Sequence, residues 1–123
     1  MIGKVCISVT KYYDRRSQRM GLKERPILVI GSSDSTDFVA LPISRVTRSQ
    51  YLDPDYDYPL ELADFPTMKL TAKSYIRTHK QFIANDAEIT RVICDFKYDY
   101  PAAYTSVLRL AEQFQKNLFE RAF

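Results

Sequence analysis

The sequence predicts a small, mainly β domain that forms a barrel or a rolled sheet and ends in one α-helix. Short runs rich in β-branched and apolar residues recur as far as Phe96, and turn-forming residues separate them. A run with helical spacing then occupies the C-terminus. The chain has 123 residues, of which 46% are hydrophobic, so we expect residues 1–123 to fold as a single domain.

Three strands are predicted in the first half of the chain. Residues 5–10 (VCISVT) are rich in β-branched side chains, and residues 26–30 (PILVI) form an apolar run that ends in a Gly-Ser-Ser turn. Residues 37–43 (DFVALPI) follow closely, which predicts a hairpin. Pro42 has no N–H to donate and is expected at a strand end, a bulge or an edge. Residues 11–24 are polar and basic, and we expect a long loop there.

The second half predicts two more strands and the helix. Residues 49–57, rich in Tyr, Asp and Pro, are expected to cross the surface, and residues 60–65 to form a short extended piece. Residues 74–83 have β-type composition with mixed faces, and residues 88–96 predict a further strand. Pro101 suits a first helical turn. After it, apolar residues recur at helical spacing, which predicts a stripe packed on the core or on another subunit: Tyr104, Val107, Leu108, Ala111, Phe114 and Leu118.

Composition excludes several classes of site. The single histidine rules out a His/His or Cys/His metal site of standard spacing, and neither a Gly-rich phosphate loop nor a GxSxG motif is present. An enzyme with this sequence is therefore expected to use side chains alone, with no metal and no cofactor. Cys6 and Cys94 lack CxxC spacing and are expected to be buried free thiols. No apolar run reaches the ~18 residues of a membrane span, so we expect a cytoplasmic protein.

Three segments carry candidate functional side chains. Arg25 precedes an apolar strand, where its planar fork of donors can meet a phosphate, and Ser44 follows a strand and can donate its hydroxyl. On an extended segment Arg77 and His79 share a face about 7 Å apart, which pairs a permanent cation with a group that titrates near neutrality. Each also has a structural interpretation: a solvated or paired arginine, a turn-capping serine and a structural histidine.

The order of these segments resembles the PemK/MazF family of toxin endoribonucleases. The resemblance covers about residues 3–93 and is carried by residues 3–5 (GKV), 25–30 (RPILVI), 41–44 (LPIS) and 74–81 (SYIRTHKQ). It implies a compact SH3-like β-barrel with a C-terminal helix, working as a homodimer with a cognate antitoxin partner. It also implies metal-independent cleavage of single-stranded RNA, by attack of the ribose 2′-hydroxyl on the adjacent phosphate.

The same resemblance assigns roles to four residues. Arg25 matches the arginine that contacts the scissile phosphate, and Ser44 stands where the family commonly has a threonine. Arg77 matches an arginine that some members use as a general acid, and His79 stands where those members have an aspartate base. We expect Arg77 to act as an electrostatic stabiliser, because a guanidinium rarely releases a proton. Basic and aromatic side chains are expected to bind the RNA: Arg15, Arg16, Arg19, Lys23, Tyr75 and Lys80, with Tyr12 and Tyr13 available for stacking.

Two other functions remain open from the sequence. A barrel of the same fold can act as a non-catalytic module that binds RNA or a protein such as a topoisomerase. Alternatively, Asp53, Asp55 and Asp57 can hold a metal ion in a metal-dependent nuclease, although clustered aspartates in a Tyr/Pro-rich segment are typical of a solvated excursion.

Overall fold

The computed structural model describes all 123 residues and confirms a mainly β fold that ends in an α-helix. Its seven strands are β1 (Lys4–Asp14), β2 (Arg19–Ser32), β3 (Asp37–Ser44), β4 (Asp57–Leu60), β5 (Ser74–Arg77), β6 (Phe82–Asn85) and β7 (Ile89–Asp95). Two helices follow, α1 (Phe96–Asp99) and α2 (Pro101–Ala122). Short 3-10 turns link the later strands, at Ser49–Tyr51, Leu62–Asp64, Pro66–Met68 and Asp86–Glu88.

The strands form one antiparallel sheet that curls into a half barrel. Its order is β4–β5–β3–β2–β1–β7, and β6 also pairs with β3. The hairpin predicted between the second and third strands is therefore confirmed. Along its other edge, β3 pairs with β6 as far as Ala40 and with β5 from Ile43 onward. Pro42 lies inside β3 where the partner changes, a position at which its missing N–H disturbs the ladder least.

Two apolar clusters occupy the two faces of the sheet. The larger contains 13 buried residues, and the fully buried Leu28, Leu41 and Phe96 are among them. The smaller consists of Cys6, Ile27, Val29, Ala40 and Ala84. Strand neighbours divide between the clusters because successive side chains point to opposite faces.

The helix predicted from Pro101 is confirmed as α2, which covers the larger cluster. Tyr104, Val107 and Ala111 are buried against it. The last residue of the stripe, Leu118, is 48% exposed, and its neighbour Phe119 is 56% exposed. The second half of α2 therefore leaves part of its apolar stripe uncovered.

The loop predicted for residues 11–24 is wrong, because β1 and β2 continue as a hairpin as far as Asp14 opposite Arg19. We call residues 9–24 the arm, since there the two strands pair only with each other. Directly opposed side chains share a face, so Tyr13 and Met20 lie together and are 57% and 63% exposed. Both faces of the arm meet solvent, so no apolar alternation marks its strands in the sequence.

Three further expectations need correction. The strand predicted over residues 74–83 is two strands, because the seven residues from Ile76 to Phe82 oppose only four on β3, from Ile43 to Ala40. The three extra residues leave the ladder as a turn. The extended piece over residues 60–65 ends at Leu60, and a 3-10 turn follows. The surface excursion also ends early, since Asp57 is buried and begins β4.

Cys6 and Cys94 are buried free thiols, as predicted, and burial raises the pKa of each. Neither helix combines the length and the apolar character that a membrane crossing requires.

Candidate functional site

A cavity of about 830 Å³ opens where β2 and β3 move apart. The last paired residues of these strands are Ile27 and Pro42, and the cavity lies just beyond them. Residues 23–26 of β2 and residues 43–45 at the end of β3 line two of its walls. Residues 68–71 line another wall. The volume falls in the upper part of the roughly 300–1,000 Å³ range of small-molecule sites.

The strand register brings Arg25 and Ser44 to one place. Continuing the β2–β3 register two residues past Ile27 and Pro42 sets Arg25 opposite Ser44, and both residues line the cavity. Opposed residues of an antiparallel pair share a face of the sheet. The guanidinium and the hydroxyl that the sequence singled out therefore flank the same opening, although they are 19 positions apart in the chain.

The next residue of each strand faces the other way. The same register sets Glu24 opposite Arg45, and strand alternation turns both toward the face of the larger cluster. Ile7 of β1 lies on that face too and is paired with Arg91 of β7. The opening between β2 and β3 thus has an outer side, with Arg25 and Ser44, and an inner side, with Glu24, Arg45 and Arg91.

The charge of the cavity lining is strongly positive. Glu24 is its one carboxylate, against five cationic side chains: Lys23, Arg25, Arg45, Lys69 and Arg91. Glu24 lies 3.9 Å from the Arg91 guanidinium, and both side chains are more than half exposed, so this ion pair neutralises little of the field. A cavity with such a lining attracts an anionic ligand.

The segment after the Pro66–Met68 turn closes one side of the cavity. Met68 is buried in the larger cluster, which anchors the segment, and Lys69 follows at φ +53°, in the left-handed region. Thr71 accepts a hydrogen bond from the Arg45 guanidinium. The hydrogen bond to Thr71 therefore holds Arg45 in place, and the left-handed conformation of Lys69 turns the backbone sharply at that residue.

Arg77 and His79 lie outside this cavity and belong to another cluster. Both are next to Asp57, whose side chain has no exposed surface. The Arg77 Nε donates to Asp57 Oδ1 at 3.1 Å, and its Nη2 donates to the Tyr51 carbonyl oxygen at 2.9 Å. The structure thus separates the four candidate catalytic residues into two pairs, Arg25 with Ser44 and Arg77 with His79.

His79 is held as a largely buried ring. Its side chain is 11% exposed and lies beside Tyr56 and Phe114, with ring centroids 6.2 Å away in each case. Its buried Nδ1 has no hydrogen-bond partner and lies 3.8 Å from Asp57 Oδ1. Burial lowers the pKa of His79, and this outweighs the opposite effect of the Asp57 carboxylate.

The residues expected to bind RNA are spread over three places. Arg15, Arg16 and Arg19 are exposed at the tip of the arm, whereas Lys23 lines the cavity and lies 5.3 Å from the centroid of the Tyr12 ring. Tyr75 pairs with Ser44 across β3 and β5, so it borders the same region. Lys80 is exposed in the turn between β5 and β6.

The three aspartates of the Tyr/Asp-rich segment do not converge. Asp53 Oδ1 accepts the backbone N–H groups of Asp55 and Tyr56, a local turn, while Asp57 is engaged by Arg77. No group of three or more His, Cys, Asp or Glu side chains is arranged to hold a metal ion.

Sequence reasoning missed Arg45, Lys69 and Arg91 as lining residues. The position of Arg45 directly after Ser44 was a usable signal. Lys69 and Arg91 carry no local signal, because only the curl of the sheet brings them to the opening. Comparison of the chain with protein-family models finds no match, and comparison with curated protein sequences finds none.

Proposed function

We propose that this chain is a metal-independent endoribonuclease that cleaves single-stranded RNA at the cavity between β2 and β3. The observation that carries the proposal is the meeting of Arg25 and Ser44 across that opening, within a lining of five cations and one carboxylate. RNA is a polyanion, and cleavage at phosphorus adds negative charge in the transition state, so fixed cations favour both binding and reaction.

In the proposed reaction the ribose 2′-oxygen attacks the adjacent phosphorus as the bond from phosphorus to the 5′-oxygen breaks. The products are a 2′,3′-cyclic phosphate and a free 5′-hydroxyl. Arg25 stabilises the charge that grows on the non-bridging oxygens, because its donors form a planar fork. Ser44 donates its hydroxyl to one of the same oxygens. Water supplies the proton that the leaving 5′-oxygen takes up.

We assign the removal of the 2′ proton to water, because Glu24, the one carboxylate that lines the cavity, is on the inner side of the opening, away from Arg25 and Ser44. His79, the base that the family resemblance implies, is not among the lining residues and is buried beside Phe114. Arg77 is likewise engaged by Asp57. We therefore give Arg77 and His79 a structural role in the proposed enzyme.

The test of the proposal is cleavage of a mixed-sequence single-stranded RNA in EDTA. We expect Arg25→Ala to lower the rate by about 10²–10³-fold, the usual loss when one transition-state donor is removed. Arg25→Lys should recover only part of it, because an ammonium is not a planar fork. The matched control is Arg121→Ala, which removes an exposed arginine in the last turn of α2. Thermal unfolding of each variant verifies that it is folded.

Three results would contradict the proposal. Cleavage that EDTA abolishes would indicate a metal-dependent nuclease. A folded wild-type protein that binds RNA without cutting any of it would be a non-catalytic barrel. If the protein binds no RNA at all, the non-catalytic module for a protein partner such as a topoisomerase becomes the better description.

The family resemblance also leads us to propose an SH3-like arrangement of the half barrel, a cytoplasmic location, a homodimer and a cognate antitoxin. Uncovered apolar side chains support a protein partner. Tyr13 and Met20 are exposed on the arm, and Leu118 and Phe119 on the end of α2. Toxins of that family are usually encoded beside their antitoxins, so sedimentation of the purified chain, alone and with the protein encoded by the adjacent open reading frame, measures both associations.

A further inference from the structure

The inner side of the opening holds cations that the proposed reaction does not use. Arg45 lies one residue past Ser44, Lys69 follows the turn that carries Met68, and Arg91 lies on β7 opposite Ile7. They come from three separate parts of the chain and line one cavity. Charged side chains that serve only to keep a surface hydrated have no need to meet at one cavity, so the meeting of these three cations indicates a ligand.

These cations are on the other side of the opening from Arg25. Alternation along β2 and β3 sends Arg25 and Ser44 to the outer side, while Arg45 shares the inner side with Ile7 and its partner Arg91. A single phosphate bound between Arg25 and Ser44 leaves the inner cations without an anion. A chain that passes through the opening presents a second phosphate to them.

The cations of the inner side are also partly preorganised for an anion. The Arg45 guanidinium is held by the Thr71 hydroxyl, and Lys69 is in the left-handed region, which an L-residue with a long side chain seldom adopts. Arg91 has a loose contact of 3.9 Å with Glu24, so it can turn to a ligand. Each cation therefore keeps donors that an anion can use.

Apolar side chains complete this half of the cavity. Ile43 and Met68 are buried beneath it, and Ile7 and Ile93 also line it. An apolar surface next to cations suits a ligand that is part apolar ring and part anion, as a nucleotide is. Inorganic anions would leave that surface unused.

We propose that Arg45, Lys69 and Arg91 form a second phosphate subsite, which binds the phosphate next to the scissile one in single-stranded RNA. This inference rests on the proposed function and makes it more specific: the substrate unit is two consecutive phosphates with the nucleoside between them over the apolar floor. A dinucleoside monophosphate fills only half of the site.

The experiment measures binding of oligonucleotides that cannot be cut, so that it does not depend on catalysis. The probes are labelled 2′-deoxy pools of mixed sequence, d(NpN) and d(NpNpN), and a d(NpNpN) pool with one neutral methylphosphonate. Fluorescence polarisation gives Kd at several salt concentrations. For single strands, the slope of log K against log salt steepens by about 0.7 for each phosphate that the protein neutralises.

We expect the wild-type slope for d(NpNpN) to exceed that for d(NpN) by about 0.7, and the methylphosphonate to remove the difference. The Lys69→Gln/Arg91→Gln variant should show equal slopes for the two pools. The control Lys116→Gln/Arg121→Gln removes two exposed cations of α2 and should keep the wild-type difference.

Equal slopes in the wild type, or an unchanged difference in the Lys69→Gln/Arg91→Gln variant, would overturn the second subsite. If RNA is still cut in EDTA in that case, the proposed enzyme stands without it. If the slope difference follows Lys69 and Arg91 while no RNA is ever cut, the subsite stands and the catalytic proposal fails. Absence of binding to every pool overturns the second subsite, and cleavage of RNA in EDTA then decides the proposed enzyme by itself.

Discussion

The pair Asp57 and Arg77 gives the sharpest prediction about stability. We expect Asp57→Ala and Arg77→Ala each to destabilise the fold, and the double variant to cost much less than the sum. The Asp57 carboxylate has no exposed surface and accepts from the Arg77 Nε at 3.1 Å and from the Asp53 backbone N–H at 2.8 Å. Each single variant therefore leaves a charged partner in place, mostly cut off from water.

The magnitude follows from how much water each remaining charge can recover. Removing one member of a buried ion pair costs about 3–5 kcal/mol. Arg77 is 21% exposed, so after Asp57→Ala it regains some hydration, and we expect about 3 kcal/mol for this variant. Arg77→Ala leaves a carboxylate with no exposed surface, which places it toward about 5 kcal/mol. Their coupling energy should be about 2–3 kcal/mol.

The assay is urea unfolding of the wild type, both single variants and the double variant at pH 7.5. The matched control for a surface ion pair is Lys73→Ala with Glu61→Ala, a 2.7 Å contact between half-exposed side chains, which should couple by about 0.5 kcal/mol or less. Single-variant losses below about 1 kcal/mol, or a coupling no larger than that of the control pair, would refute this account of the Asp57 cluster.

Two further predictions concern His79 and Gly3. The pKa of His79 is lowered from 6.5 in the folded protein, so below about pH 6.5 the unfolded chain binds more protons than the folded one. The free energy of unfolding should therefore fall as the pH drops below about 6.5 and become constant below the lowered pKa. His79→Gln should remove this decline in urea midpoints between pH 7.5 and 5.5, and since the chain has one histidine, a persisting decline would contradict the assignment. Gly3→Ala should cost about 2 kcal/mol in the same unfolding assay, because φ is +89° and a Cβ would lie 2.6 Å from the Lys97 Cβ. A loss no greater than that of Gly31→Ala, where only ordinary contact at 3.7 Å awaits the new methyl, would contradict it.

The local pattern of apolar residues was sufficient to predict the strands and the helix that pack against the core. Residues 26–30 and 37–43 are apolar because β2 and β3 cross the core, and the helical stripe after Pro101 is apolar because α2 covers it. The arm could not be found in this way, since both of its faces meet solvent and its strands are stabilised only by each other. The break at residues 78–81 was hidden as well, because it is visible only in the registers with which β5 and β6 pair with β3.

The candidate site was predictable in part for a similar reason. Arg25 and Ser44 lie next to the ends of the apolar runs at residues 26–30 and 37–43, and a hairpin between those two runs brings these ends together. Arg77 and His79 looked like a second functional pair because the sequence does not reveal that Asp57, 20 positions upstream of Arg77, is buried beside them. Asp57 could be identified as the partner of Arg77 and His79 only from the structure, in which the sheet places β4 next to β5.

The arm and the cavity have residues in common. The arm joins the rest of the sheet next to Ile7 on β1 and through residues 23–26 on β2, and these residues also line the cavity. Beyond that root the arm has no other strand to brace it. A ligand at the tip, near Arg15 or Arg16, and a ligand in the cavity therefore bind to two ends of the same hairpin.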